Sequence, residues 1–553
     1  SLKYLELSSF KTSIVTDVSY MFHGCNSLTS ANLINFDTSS VINMNAMFED
    51  CVSLKSLNLY IFKTDNVQNM EKMFQGCNSL TSLNITRFIT NKVKRMNHMF
   101  YGCTALTSIS VENFNTSLVE EMEYLFSNCS SVTSLDLSKF NISKVKKMKY
   151  MFNGCTSLIS LNVSNFETFQ VEDMSYMFSG CIKISSLNLS NFVTSKVLNM
   201  EGMFKDCYEL ENLNISSFVT YQVTNMKYLF ENCFKLESID LKNFDTSQVI
   251  NMEYMFKDCS SLESLNISGF NTSRVVNMDS MFYGCSLIKS LNISNFDTSK
   301  VTNMKNLFNG CKLLTSINKG TNFNTSKVEN MMNMFSECNS LIVLDVSNFD
   351  TSKVTNMASM FSGCEQLSSL NLAKFNTKNV VDMNSMFMGC LSLTSINLSS
   401  FDTSNVTNIE YMFSDCWLLK DININNFNLT LVNSMEYMFS CCKAATSIIL
   451  PKIDNLIIIN LSHMSVRFMT GMFYGASSIK YLDLSNFITA LTEDMSFMFY
   501  KLKSITSLDV SSFNTSNVEY MNYMFEGCES LISLDLSHFN TSKIDSLDNI
   551  FSD

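Results

Sequence analysis

Residues 349–374 read FDTSKVTNMASMFSGCEQLSSLNLAK, and then the chain starts again: Phe375, Phe401 and Phe427 follow Phe349 at intervals of 26 residues. The interval carries a Phe back to Phe10 and forward to Phe539 with two interruptions, so the chain is about 21 copies of one motif. Self-similarity at a fixed period of this length identifies a stacked architecture in which each copy is covered by its neighbours. A repeat array presents a long surface, whereas catalysis needs one exceptional constellation.

Within the unit, Val354, Met357, Met360, Phe361 and Cys364 recur at helical spacing, which predicts one face of a short helix. Thr351 and Ser352 precede it as candidate N-caps. Gly363 follows the Met-Phe pair, and where its column lacks Gly it usually holds Asp or Asn, as at Asp50, Asn128, Asp206, Asn232 and Asp258. These residues tolerate a left-handed backbone, so a sharp turn is expected there. After the turn, Leu367, Leu370 and Leu372 place two leucines on one side of a short strand, with Ser369 and Asn371 on the other. The expected fold class is therefore an α/β solenoid, a curved stack of about 21 coils with one short parallel strand and one short helix per coil. At about 4.8 Å per strand its inner edge spans on the order of 100 Å. The structural columns are Phe349, Met357, Phe361, Cys364, Leu370 and Leu372.

Of the 45 Phe, only Phe169, Phe234, Phe468 and Phe497 fall outside two columns, so the aromatic content is core. Of the 19 Cys, only Cys441 stands outside a single column, and that column also accepts Ala476 and Leu502. A buried ladder of free thiols is expected, because free Cys packs as a small hydrophobe. The net charge of −12 comes from 39 basic and 51 acidic residues scattered through all copies, without the clustered basic face that nucleic acid requires. No stretch approaches the roughly 18 consecutive apolar residues of a membrane helix. Ser1-Leu2 begins in the strand half of a copy and Phe551-Ser552-Asp553 stops inside the next, so one solenoid over 1–553, truncated at both ends, is expected.

The recurring M-F-x-G-C-x-S-L-x-S-L-N-L-S-x-F-[DN]-T-S-x-V-x-N-M resembles the BspA-like leucine-rich repeat surface proteins, in the Met-Phe-x-Gly-Cys subtype shared with mycoplasma-type surface lipoproteins. The resemblance covers essentially the whole chain. It implies a curved leucine-rich-repeat solenoid displayed at the cell surface or secreted, with a role in adhesion or in binding host and matrix components. Two departures stand out. Phe349 and its equivalents sit near the place where ordinary leucine-rich repeats carry an Asn ladder, and an Asn-Met pair such as Asn356-Met357 supplies another Asn column. The amides of that column either bond the neighbouring coil's backbone or face solvent.

The pattern breaks twice. Lys319-Gly320-Thr321 adds one residue, a small bulge; between Phe439 and Phe473 the interval is 34 instead of 26, so 441–475 is read as a divergent coil with an insertion, its Ile449-Leu450-Pro451 resembling the strand end of the commoner BspA-type repeat. An insertion in a regular array is a loop on one face, open to specificity or to drift.

The candidate binding surface is the wet strand face: Ser264, Asn266, Ser290, Asn292, Asp345, Ser369, Asn371, Ser395 and Asn397. Such a ladder suits many weak hydrogen bonds to a glycan or an extended protein, with avidity from length. Short polar residues are equally what any wet strand face tolerates. A partial basic row, Lys144, Lys196, Arg274, Lys300, Lys327, Lys353 and Lys543, either steers an anionic ligand or is a solvated edge. His23, His98, His463 and His538 lie far apart with no partner at metal-ligand or triad spacing. Asn-x-Ser/Thr triplets follow from the repeat's composition and establish no glycosylation. Trp417 is either an exposed anchor or packed at the end of the predicted helix.

The sequence thus points to a non-enzymatic recognition or adhesion module, without cofactor or metal, binding a protein or glycan. The alternative is a structural spacer or filament subunit that self-associates. Nucleic-acid binding and membrane insertion of this segment are not expected.

Overall fold

The computed structural model describes residues 2–451, 466–485 and 487–552. They form two compact units, Ser1–Val275 and Val276–Asp553, built alike as stacks of parallel turns. In the first, β1 (Tyr4–Glu6) pairs with β2 (Ser30–Asn32), β3 (Ser56–Asn58) with β4 (Ser82–Asn84), β5 (Ser134–Asp136) with β6 (Ser160–Asn162), and β7 (Ser186–Asn188) with β8 (Asn212–Asn214). In the second, β9 (Ser290–Ile293) pairs with β10 (Ser316–Lys319) and β11 (Asp421–Asn423) with β12 (Ser447–Ile449). Every pair is parallel, and the register joins like positions of successive copies, as in Ser56↔Ser82 and Leu57↔Leu83. A second parallel ladder runs through the Asn-Met column, from Asp17↔Asn43 to Asn225↔Asn251 in the first unit and from Asn277↔Asn303 to Asp494↔Tyr520 in the second.

Two expectations are corrected. The turns number about 17 where about 21 were expected. More instructive is the segment expected to be helical: the described residues contain no α-helix. From Met357 onward, alternate amides leave the coil, Met357 N–H donating to Asp382 O (3.0 Å), Ser359 to Asn384 O (2.7 Å), Phe361 to Met386 O (3.0 Å) and Gly363 to Met388 O (2.7 Å). The amides between them fold back three residues, Met360 to Met357 O (3.2 Å) and Cys364 to Phe361 O (3.1 Å). Left-handed residues at Ser359 (φ 54°) and Gly363 (φ 71°) reset the chain between these turns, and such a residue ends an α-helix. Consecutive i→i+3 turns bring residues three and four apart to one side as a helix does, which is why the apolar spacing could not tell the two apart.

The left-handed expectation at the Gly363 column holds, Asp50, Asn128, Asp206, Asn232 and Asp258 included. A second left-handed column, four residues earlier, went unread because it is mostly non-glycine: Tyr124, Tyr150, Tyr176, Tyr228, Tyr254 and Ser359 among others. There a conformation costing about 1–2 kcal/mol is offset by the inter-turn hydrogen bond it permits. Where Tyr side chains are consecutive they stack, at centroid distances of 4.7 Å for Tyr124–Tyr150 and 4.8 Å for Tyr150–Tyr176.

The interior is the expected set of columns. Val354, Met357, Met360, Phe361, Cys364 and Leu367 are fully buried, and Phe349, Leu370 and Leu372 nearly so. Phe361 stacks on Phe335 (5.9 Å) and on Phe387 (5.8 Å). The cysteines are free, and along the column from Cys51 the thiols donate to a Phe carbonyl about one turn back, as Cys364 Sγ to Phe335 O at 3.2 Å. Burial pushes the thiols of Cys51, Cys103, Cys155, Cys311 and Cys390 up to about 12.

Polar columns hold the turns together. Thr351 caps no helix; its buried hydroxyl donates to Asn376 O (2.9 Å) and accepts from Asn376 N–H (2.8 Å), stapling one turn to the next. Thr325 does the same to Asp350. In the Asn-Met column the amide takes a third course: Asn356 Oδ1 accepts from Ala358 N–H (2.9 Å), closing a turn within its own coil. The Asn ladder that Phe349 was expected to displace is present just before it. Asn191 and Asn426 donate to backbone carbonyls of the preceding turn, and His538 Nε2 meets Val510 O in the same column at 3.0 Å.

Candidate binding surface

All nine nominated strand-face residues are exposed: Ser264 and Asn266 in the first unit, and Ser290, Asn292, Asp345, Ser369, Asn371, Ser395 and Asn397 in the second. Alternation puts them there, since Leu265, Leu291 and Leu370 between them point inward and are buried. Each Asn or Asp also carries a structural duty. Asn266 Oδ1 accepts from Ser268 N–H (3.3 Å), Asn292 from Ser294 (3.2 Å), Asp345 from Ser347 (3.0 Å), Asn371 from Ala373 (3.2 Å) and Asn397 from Ser399 (3.0 Å). One oxygen per residue thus closes the turn that follows the strand, the Asx-turn geometry that favours these residue types.

The row is not uniform. Val343 replaces the Ser found at Ser316 and Ser369 and is 71% exposed, and its neighbour Ile342 is 54% exposed. Leu287 and Leu313, on the two preceding turns, are also exposed. On the same turns Lys319 stands where the other copies carry an inward apolar residue, such as Ile293, Val346 and Leu372. Its side chain is only 14% exposed and its ammonium donates to Asn348 Oδ1 (2.7 Å) and, less closely, to Asp345 Oδ2 (3.3 Å). The Asp345 carboxyl is held down at about 2, chiefly by the Ser347 hydroxyl and amide, with Lys319 adding to it. Gly320 follows because a Cβ there would collide with the carbonyl oxygen of Ser294. A cavity of about 160 Å³ opens beside Lys319, walled by Ile293, Ile317, Leu344, Phe323 and Phe349 among others, with Asn318 and Asp345 at its polar side. Sequence reading saw the extra residue; the signal it missed is a charged residue in an otherwise apolar column.

Three members of the basic row reach the polar residue one turn back, while Lys300, Lys327 and Lys353 each follow another cation of the row. Lys196 Nζ donates to Gln170 Oε1 (2.7 Å), Lys543 to Asn517 Oδ1 (2.8 Å), and Arg274 to Gln248. Gln170, Gln248 and Asn517, in the same column as the cations, are thus their partners. Stacking also corrects the reading of the histidines. His23 Nδ1 lies 3.1 Å from Glu49 Oε2, with Asp50 beside them, a set able to share a cation. Glu49 is already held by Gln75 Nε2 (2.8 Å) and faces Lys72 (3.8 Å), so the group is satisfied as a hydrogen-bonded cluster. His98 stacks on Tyr124 at 4.6 Å, and burial lowers its pKa. Trp417 is exposed, its indole N–H on Asp415 and the Lys443 ammonium 3.5 Å from its ring centre. His463 and most of the insertion, 452–465, lie outside the described residues; the ladder resumes as Ser434↔Phe468. Among the described residues no helix is long and apolar enough to cross a membrane.

A family model described as "Mycoplasma protein of unknown function, DUF285" matches residues 1–108, 79–186, 159–265, 262–343, 338–450 and 454–553. A search of curated proteins finds no match. Among solved structures, a leucine-rich repeat protein from Bacteroides ovatus is 15% identical, with 86% of each chain covered and a TM-score of 0.35. A leucine-rich cell surface protein from Faecalibacterium prausnitzii is 15% identical, over 84% of this chain and 91% of that one, at a TM-score of 0.22. A plant peptide hormone receptor, RGFR1 in complex with RGF2, is 13% identical, over 95% and 80%, at a TM-score of 0.22.

Proposed function

The chain belongs to the DUF285 family, and on that premise we propose that it is a recognition module of the BspA-like kind, displayed at a cell surface or secreted, that binds a protein ligand through its strand face. The observation that carries the reading is a break in the polar row of the second unit, where Val343 and Ile342 expose apolar surface between Ser316 and Ser369. A wet strand face needs no aliphatic side chain, and a protein interface uses an apolar centre with a polar rim. Ser290, Asn292, Asp345, Ser369, Asn371, Ser395 and Asn397 would supply that rim. A host or matrix protein is the ligand class that the family resemblance favours, and a glycan is the competing one. The spacer reading draws on a different observation, the dense bonding of each turn to the next through the Thr staples, which suits stiffness without any ligand.

The test replaces groups that carry no turn. Because Asn371 and Asn397 close their own coils, substituting them confounds folding with binding. Val343→Asp with Ser369→Arg keeps the turn-closing residues, so the circular dichroism spectrum and melting curve should be retained. Binding to an array of extracellular-matrix proteins should fall at least ~10-fold, as for loss of an apolar interface centre. Matrix binding that survives both substitutions, or binding to glycans alone, overturns the proposal.

A further inference from the structure

The structure assigns to the cavity beside Lys319 a ligand chemistry: we propose that it is a specificity pocket for the p-hydroxyphenyl group of a tyrosine side chain on the protein partner. The inference rests on the protein-recognition reading, and it begins from a misfit. Every other described copy puts an aliphatic residue at the position of Lys319, as in Ile293, Val346 and Leu372. Lysine cannot leave its ammonium in that dry column, so the side chain turns to Asn348 and Asp345. The volume an aliphatic side chain would fill is left as a cavity of about 160 Å³.

Size and polarity then select the occupant. A cavity of about 150 Å³ has room for benzene, while drug-sized ligands need roughly 300–1,000 Å³; by size the pocket takes one six-membered ring. Ile293, Ile317, Leu344, Phe323 and Phe349 give that ring an apolar wall. The polar side offers a donor and an acceptor together, the Lys319 ammonium and the Asp345 carboxylate, 3.3 Å apart and already balanced in charge. A phenolic hydroxyl matches such a pair, accepting from Lys319 and donating to Asp345 without breaking it. A ligand carboxylate would instead have to displace Asp345, and a plain phenyl ring would leave the polar side unmet. Tyrosine is also the residue type that interfaces use as an anchor in a pocket. Val343 and Ile342 are exposed on the turn that supplies Leu344 and Asp345 to the pocket.

The experiment measures binding of p-cresol, toluene and p-toluate to the full chain by saturation-transfer NMR, with Lys319→Leu and Asp345→Asn as variants. Lys319→Leu restores the residue type the other copies carry, so its fold is checked by circular dichroism and is expected to be retained. p-Cresol should bind saturably and ~10-fold or more tighter than toluene or p-toluate, the worth of one hydrogen bond to a charged group. Lys319→Leu should abolish its binding and Asp345→Asn should weaken it. No p-cresol binding, equal binding of toluene, preference for p-toluate, or cresol affinity unchanged in Lys319→Leu each overturn the assignment. Lys319-dependent cresol binding with no matrix-protein binding would uphold the pocket while removing the proposed function.

Discussion

Thr351→Val tests whether the array is held by its threonine staples or only by its apolar columns. Thr351 is 1% exposed, and its hydroxyl makes two hydrogen bonds to one residue of the next turn, to Asn376 O (2.9 Å) and from Asn376 N–H (2.8 Å). Valine keeps the shape and removes both. Two net hydrogen bonds at about 1 kcal/mol each give ~2 kcal/mol, with the stranded donor and acceptor adding to this as far as water fails to reach them. Thr351→Ser keeps the hydroxyl and loses a methyl, about 0.8 kcal/mol. The staple therefore predicts Thr > Ser > Val, the reverse of the Ser-versus-Val order at a merely buried position. A repeat array need not unfold in one step, so the assay pairs urea midpoints with hydrogen exchange of the Asn376 amide, which should open 10-fold or more faster in Thr351→Val. The chain carries its own control: Ile142 replaces the threonine of one turn, and the Glu167 amide opposite it should already exchange faster than that of Asn376. A valine variant as stable as the serine one refutes the staple.

Two further outcomes follow from the columns. Thiols pushed from 9.0 to about 12, such as Cys51, Cys103, Cys155, Cys311 and Cys390, favour the folded state fully below pH 9 and lose that contribution as the unfolded chain ionises above it. Each should cost about 1 kcal/mol between pH 9 and 10, so urea midpoints should fall steeply there, and a flat profile to pH 10.5 would contradict a dry thiol ladder. Lys319→Leu gives up an ion pair whose Asp345 side is exposed, worth about 0–1 kcal/mol, and fills an apolar column; a raised melting temperature in a scanning calorimeter is expected, and destabilisation would mean that Lys319 is structural.

The route to the fold shows where sequence reading stops. Like residues recur at one interval, so the burial of Phe361, Cys364 and Leu372 followed from their columns, and the left-handed turn at Gly363 followed from Gly alternating with Asp and Asn. The exposure of Ser369 and Asn371 was equally legible from strand alternation. The structural duty of Asn371 was not, because an amide that closes its own turn and one that waits for a ligand are the same residue in the same place.

Period and chemistry of the side chains by themselves determined that this protein is a stack of equivalent turns, which faces are dry and which residues meet in columns. Tertiary structure alone decided how the backbone spends its hydrogen bonds. Three- and four-residue apolar spacing is shared by a helix and by a run of turns, and only the next coil, offering carbonyls to Met357, Ser359, Phe361 and Gly363, makes the second cheaper than the first. The same dependence on neighbours turns Thr351 into a staple and Lys319 into the wall of a pocket: each acts on residues that only the stacking of turns brings within reach.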